Sequence, residues 1–121
     1  MKYEVEVLVT TISEENINDL SDIVFGEPFD VIQVVEGGEL YDDEKAALEE
    51  YKKCSATARR NEDGVIEIRI PQLIRGEVEL DEETLEEYGD EVYLMTEYEV
   101  IDTCDFDEES KRLFRELGYS I

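Results

Sequence analysis

Residues 55–70 read SATARRNEDGVIEIRI and carry the clearest structural signal in the chain. Two segments of alternating apolar and polar residues, 55–60 and 65–70, flank the turn-forming sequence NEDG at 61–64. This arrangement predicts a β-hairpin. Because Pro71 follows directly and proline has no N–H to donate to a sheet ladder, we expect the second strand to end there.

Further strand and helix patterns lie on both sides of this hairpin. Alternation of apolar and polar residues predicts strands at 3–10 and 92–101, and a short one at 77–80. The segment 29–35 is more continuously apolar, which is typical of a strand near the centre of a sheet. Apolar residues at helical spacing predict four helices, three of which begin behind capping residues. The predicted N-caps are Ser13, Asp81, and Asp105 or Asp107, and the acids at 42–44 open the remaining helix, where the helix dipole favours negative charge.

Together these segments predict one α+β domain over residues 1–121, with a mainly antiparallel or mixed sheet of about five strands and three or four helices. The length fits one domain, and a hydrophobic share of 41% is enough for a core. No apolar run approaches the ~20 residues that span a membrane, so we expect no membrane contact and a cytoplasmic location. Cys54 and Cys104 are expected to be free thiols, because the cytoplasm is reducing.

The charge of the chain is strongly negative and unevenly distributed. Asp and Glu number 35 against 11 Lys and Arg, a formal net charge of −24, whereas small domains usually carry a magnitude of ~2–8. Lys and Arg are absent from 3–44 and from 76–110. The stretch 45–75 contains seven of the 11 basic residues and is mildly positive. The sequence therefore predicts two acidic segments on either side of a basic hairpin.

Within the acidic segments, carboxylates recur at spacings that place them on one face of an element. Alternate strand positions lie ~6.6 Å apart, and the helix predicted at 82–88 has glutamates three and four residues apart. Such rows match the phosphates of a nucleic-acid strand in sign and approximate spacing, so we expect a basic, nucleic-acid-binding protein as partner. The predicted partner-binding residues are Glu82, Glu83, Glu86, Glu87, Glu97, Glu99, Asp105, Asp107, Glu108 and Glu109. A secondary contact patch is predicted at Lys52, Lys53, Arg59 and Arg60.

The chain lacks most of the residue types that carry enzymatic chemistry. It contains no histidine, which excludes Ser-His-Asp and Cys-His nucleophile systems within this chain. Two cysteines alone cannot form a zinc site, and no glycine-rich phosphate-binding motif is present. We therefore expect no catalytic residues, no metal and no cofactor.

Two carboxylate patterns bear on metal chemistry. Residues 105–116 are acidic at positions 1, 3, 5 and 12 of a calcium-loop template, but Ser110 stands where the loop needs glycine. Helix capping is the favoured interpretation of these acids. Glu67 and Arg69 match the Glu-x-Lys part of a metal-dependent nuclease site, yet arginine cannot act as a base. A strand with one charged, solvated face explains them better.

A histidine-free acidic chain with uncompensated carboxylate rows at 3–44 and 76–110 resembles the phage-encoded DNA-mimic inhibitors of the anti-CRISPR and anti-restriction type. The resemblance lies in composition and in no motif. It implies a non-catalytic inhibitor that occupies the nucleic-acid groove of a CRISPR effector or restriction enzyme in the host cytoplasm, without binding DNA itself. The basic hairpin departs from a uniformly acidic mimic.

Other interpretations of the acidity stay open. It can serve solubility in an adaptor or in a subunit of a larger assembly. Adaptation to high salt is disfavoured, because Glu outnumbers Asp 24 to 11. Clustered carboxylates can also serve a metal-dependent enzyme. The basic hairpin can pair with an acidic face of a second copy, so a homodimer is left open.

Overall fold

A computed structural model of the chain describes residues 1–24 and 34–120. This part of the chain contains six strands and four helices. The strands are β1 (Lys2–Ser13), β2 (Val34–Glu36), β3 (Leu40–Tyr41), β4 (Thr57–Arg60), β5 (Val65–Leu80) and β6 (Tyr93–Thr103). The helices are α1 (Ile17–Val24), α2 (Glu44–Tyr51), α3 (Glu82–Tyr88) and α4 (Glu108–Glu116).

The strands form one antiparallel sheet around the pair β1 and β5. These two strands pair from Lys2 opposite Gly76 to Ser13 opposite Val65. β2 and β3 lie one after the other along the far side of β1. β4 and β6 lie along the far side of β5 in the same way. The predicted α+β class is confirmed, with more strands than the five expected.

The hairpin predicted from residues 55–70 is confirmed. β4 pairs with residues 66–69 of β5 in antiparallel register. In the turn, the Asn61 side-chain oxygen accepts a hydrogen bond from the Val65 N–H at 3.0 Å. Gly64 has φ 74°, a left-handed conformation that glycine adopts without steric cost.

β5 does not end at Pro71, so the predicted end of this strand is wrong. The strand continues to Leu80 and absorbs the short strand predicted at 77–80. The Pro71 carbonyl accepts a hydrogen bond from the Cys104 N–H at 2.9 Å, on the side away from β1. Because the N–H and C=O of one strand residue point the same way, the missing N–H faces the junction between β4 and β6. No ladder bond is required there, so proline is tolerated.

The strand predicted at 29–35 lies mostly outside the described residues. Its described end, Val34 and Val35, belongs to β2, which pairs with β1. These two valines are 53% and 51% exposed. For this part the prediction of a central strand is wrong, because β1 and β5 hold the centre of the described sheet.

Two apolar clusters lie on opposite faces of the central strands. Ile70 belongs to one cluster, together with Leu20 of α1 and Phe114 of α4. Leu73 belongs to the other, together with Ala47 of α2. Successive strand residues alternate between faces, so positions 70 and 73 point in opposite directions. Helices α1 and α4 therefore cover one face of the sheet, and α2 covers the other.

The N-caps predicted at Asp81 and Asp107 are confirmed, whereas the one predicted at Ser13 is wrong, because Ser13 is the last residue of β1 and α1 begins only at Ile17. Asp43, Asp81 and Asp107 are the N-caps of α2, α3 and α4, and each side chain accepts a hydrogen bond from a backbone N–H of the first turn. Of the two candidates for α4, Asp107 is the cap. α3 ends at Gly89 with φ 72°, the left-handed conformation that glycine favours at a helix C-terminus.

We predict that Gly76→Ala destabilises the protein by about 1–3 kcal/mol, because β6 has to move away from β5. An added Cβ atom at Gly76 would lie 1.9 Å from the Glu97 carbonyl oxygen and 2.8 Å from the Tyr98 Cα. Urea denaturation measures the free energy of unfolding. The control Glu79→Ala, at an exposed position of the same strand, is expected to change it by less than about 0.5 kcal/mol. Equal stability of the two variants would contradict the close approach.

Candidate partner-binding surface

Six of the ten acids predicted to bind a partner lie on one substructure, which we call the acidic hairpin (residues 74–103). It consists of the C-terminal half of β5, helix α3 and strand β6. The six acids are Glu82, Glu83, Glu86, Glu87, Glu97 and Glu99. All six are exposed, and α3 has no buried residue. The structure therefore brings the predicted helix and strand ladders together on neighbouring elements.

The register between β5 and β6 places a further row of acids beside this predicted set. Glu77 lies opposite Glu97, and Arg75 lies opposite Glu99. Residues directly opposite each other share a face of the sheet, and like charges in such pairs are destabilising. Glu77, Glu79, Glu97 and Glu99 therefore point to one face. The sequence alternation places Glu77 with Glu79 on one face of β5, and Glu97 with Glu99 on one face of β6. Only the strand register shows that these two faces are the same face of the sheet.

An open depression lies between the start of α3 and the end of the acidic hairpin's strands. Its volume is about 610 Å³. It is lined by Glu79, Leu80, Asp81, Glu82, Glu83 and Leu94. A lysine or arginine side chain fits this lining, because its charged end meets carboxylates and its aliphatic stem contacts leucines.

The opposite face of the acidic hairpin is apolar and partly open to solvent. Tyr98 lies opposite Gly76, and Val100 lies opposite Ile74, on the face away from Glu97 and Glu99. The exposed fractions of Tyr93, Tyr98 and Val100 are 51%, 52% and 43%. Sequence reasoning missed this surface, because alternating apolar residues on a strand usually indicate a buried face.

The other four predicted acids lie outside the acidic hairpin, with Asp105 just before α4 and the rest at its N-cap and first turn, and three of them have intramolecular partners. Asp107 forms a two-point contact with the Arg59 guanidinium at 3.3 and 2.8 Å. Glu109 lies 3.2 Å from the same arginine, and Glu108 lies 3.8 Å from Lys111. Asp105 is exposed and belongs to none of the ion pairs found in residues 1–24 and 34–120.

The predicted basic contact patch is largely paired within the chain as well. Arg59 also donates to the Ser110 hydroxyl at 2.8 Å, and Arg60 lies 2.9 Å from Glu14. Lys53 lies 3.5 Å from Glu50, while Lys52 is exposed at the C-cap of α2. The two arginines therefore join the basic hairpin (residues 55–70) to other parts of the fold.

The contact between Arg59 and Asp107 changes the ionisation of both groups. Hydrogen bonds from Arg59 and Ser110 hold the pKa of the Asp107 carboxyl well below its usual value. The hydrogen bond to Asp107 raises the pKa of Arg59. Both pKa shifts favour the charged forms of the two groups. Asp107 therefore serves a contact between α4 and β4 within the fold.

Cys54 and Cys104 are free thiols, as predicted, and both are partly buried. They line a cavity of about 450 Å³ together with Tyr51 and Asp102. Burial raises the pKa of both thiols, so they are protonated at neutral pH and react poorly as nucleophiles. Within the described residues, no group of three or more Cys, Asp or Glu side chains is arranged to hold a metal ion. None of the described helices has the length and apolar character needed to cross a bilayer.

We predict that Asp107→Ala lowers the free energy of unfolding at pH 7 by about 1–2 kcal/mol, because α4 loses its cap. Asp107→Asn keeps a capping oxygen but replaces the second acceptor of Arg59 with an amide NH₂ group, so it tests the loss of the ionic contact to Arg59. The folded-state pKa of Asp107 lies below the unfolded value of about 3.9. The charged carboxylate therefore stabilises the fold above about pH 4, and this stabilisation is lost progressively as the pH falls below that value.

Urea denaturation from about pH 7 to about pH 2 checks this expectation. The difference between the native protein and Asp107→Asn should narrow as the pH falls below about 4. Asp105→Ala removes an exposed acid two residues away and serves as the control. A pH-independent difference for Asp107→Asn would contradict the ionic contribution.

The exposed glutamates and the exposed apolar face of the acidic hairpin are the features from which a function can be inferred. Comparison with protein-family models, with curated proteins and with solved structures found nothing that matches this chain. The function of this surface therefore has to be inferred from its charge, exposure and geometry.

Proposed function

We propose that the protein is a non-catalytic inhibitor that occupies the nucleic-acid-binding groove of a basic partner, such as a CRISPR effector or a restriction enzyme. The observation that supports this most is the helix α3. Its exposed glutamates are Glu82, Glu83, Glu86 and Glu87. None of the ion pairs in the described part of the chain involves them. Four like charges thus stand on one short helix without compensation.

The contrast with the start of α4 and with the basic hairpin strengthens this proposal. At the start of α4 and along the basic hairpin, carboxylates lie beside arginines at 2.6–3.2 Å. A protein that needed charge only for solubility would gain stability from similar pairs on α3, because like-charge neighbours on a helix are destabilising. The uncompensated acids therefore favour a partner that supplies the positive charge.

A groove that binds nucleic acid supplies such charge. Lys and Arg side chains in it are placed to meet rows of phosphates, and rows of fixed carboxylates offer the same sign. The attraction acts over the Debye length of ~8 Å at physiological salt and accelerates the encounter. Bound there, the protein blocks the groove by steric occupation and needs no catalytic group.

An adaptor or assembly subunit is the second candidate, because the exposed apolar face of the acidic hairpin also suits a protein contact. A carboxylate-based metal-dependent enzyme is the third. Isothermal titration with Mg²⁺, Mn²⁺ and Ca²⁺ tests it directly, since specific uptake of one ion at a fixed stoichiometry would favour the enzyme over the inhibitor.

We predict that neutralising α3 with Glu82→Gln, Glu83→Gln, Glu86→Gln and Glu87→Gln weakens binding to the partner at least tenfold. The test uses a CRISPR effector and a restriction endonuclease, each with a labelled DNA duplex, and measures displacement of the DNA. Raising the salt from about 0.1 to about 0.5 M should also weaken the native complex more than tenfold.

The matched control removes four exposed acids elsewhere, with the same change in net charge. These are Glu15, Glu49, Glu62 and Glu116, each changed to Gln. The control should displace DNA nearly as well as the native protein. An affinity that does not depend on salt, or an equal loss in the control, would contradict a directed mimic surface, and no displacement from either enzyme would reject both as partners.

A further inference from the structure

Strand β6 is an edge of the described sheet. It pairs with β5 on one side, and no strand within residues 1–24 or 34–120 pairs with its other side. The side chains from 97 to 103 are all exposed. An edge strand offers unpaired backbone N–H and C=O groups to which another extended chain can add.

The two faces of β6 differ in chemistry at this edge. Glu97 and Glu99 lie on one face, where Glu99 forms an ion pair with Arg75 of β5, and Tyr98 and Val100 lie on the other. The register is interrupted next to Leu73 and next to Glu77 of β5, so residues 97–100 form the regular stretch between two irregularities. A strand added at this stretch meets acids on one face and apolar side chains on the other, in strict alternation.

We propose that β6 accepts an extended segment of the partner as an additional strand of the sheet. The segment alternates Lys or Arg with apolar residues. Its basic side chains lie beside Glu97 and Glu99, and its apolar side chains lie beside Tyr98 and Val100. Backbone hydrogen bonds to the edge supply affinity, and the alternating side chains supply specificity.

Charge decides between this occupant and a second copy of the chain. In an antiparallel pair of two β6 strands centred on Tyr98, Glu97 of each copy lies directly opposite Glu99 of the other. Like charges directly opposite each other destabilise a strand pair, whereas opposite charges stabilise it. Glu99 already pairs with Arg75, so Glu97, which belongs to none of the ion pairs within residues 1–24 and 34–120, is the acid that chiefly repels a second copy and attracts a basic segment.

This inference rests on the proposed function only for the basic character of the partner. It concerns a backbone contact at β6, whereas the proposed inhibition depends on the carboxylates of α3. If the native protein binds the strand-forming peptide but displaces no DNA, the proposed inhibition is rejected and strand addition stands. If the protein displaces DNA but does not bind the peptide, strand addition is rejected and the proposed inhibition stands.

The experiment uses a labelled ten-residue peptide that alternates Lys and Val, titrated with the native protein and followed by fluorescence anisotropy. A peptide of the same composition, with its lysines and valines in two blocks, is the control for charge. We expect the alternating peptide to bind at least tenfold more tightly. Amide hydrogen exchange should show protection at residues 97–100 when the alternating peptide is bound.

Two N-methylated forms of the alternating peptide separate strand addition from electrostatic adhesion. One carries methyl groups on the lysine amides and the other on the valine amides, so each blocks one edge of the peptide strand. If the peptide adds to β6 in one strand direction, only one of its edges faces β6. The form methylated on that edge should bind at least tenfold more weakly, and the other form should bind as the unmodified alternating peptide does. Equal binding by both forms and the parent would overturn the proposal.

Charge reversal in the protein provides a second measurement. Glu97→Lys should weaken the Lys-Val peptide about fivefold to tenfold and strengthen a Glu-Val peptide. Glu62→Lys makes the same charge change in the turn of the basic hairpin and should have little effect. Equal effects of the two variants, no peptide binding, or concentration-dependent dimers with protection at 97–100 would each overturn the assignment of a basic segment to this edge.

Discussion

Strands β1 and β5 pair without interruption from Lys2 opposite Gly76 to Ser13 opposite Val65, and the other described strands attach to this pair. β5 extends beyond the pair to Leu80, and the part that extends carries the acidic hairpin. Its passage through Pro71 is therefore essential. Had the strand ended at this proline, α3 and β6 would have no continuous support from the strand that also holds the core.

Three arginines of the described chain lie where elements meet. Arg59 joins β4 to α4 through Asp107, and Arg69 joins β5 to β2 through Glu36 at 2.6 Å. Arg75 pairs with Glu99 between β5 and β6. Each pair is partly exposed, so its contribution to stability is modest and its effect is mainly on the position of the elements. The glutamates of α3 and Glu97 belong to none of the ion pairs in the described residues, whereas Glu77 lies 4.0 Å from the N-terminal ammonium.

Local chemistry explains which predictions were confirmed. The turn at 61–64, the caps Asp81 and Asp107, and Gly89 at the C-terminus of α3 each depend on a few adjacent residues, and each was predictable. The continuation through Pro71 was not, because it depends on where β4 stops and β6 starts on the neighbouring side of β5. The two register shifts between β5 and β6 could not be predicted for the same reason. A β-bulge is defined by how one strand pairs with its neighbour, and the sequence of one strand does not contain that information.

The sequence by itself determined the acidity, the absence of histidine, the α+β class and the fact that each row of acids lies on one face of its own element, because composition and periodicity are local properties. Only the tertiary structure decided which acids remain uncompensated. Asp107 and Glu83 are both among the acids predicted to bind a partner, yet Asp107 lies beside Arg59 and Glu83 has no ion pair in the described chain. Charge compensation depends on contacts between residues far apart in the chain, and the pairing of strands sets those contacts.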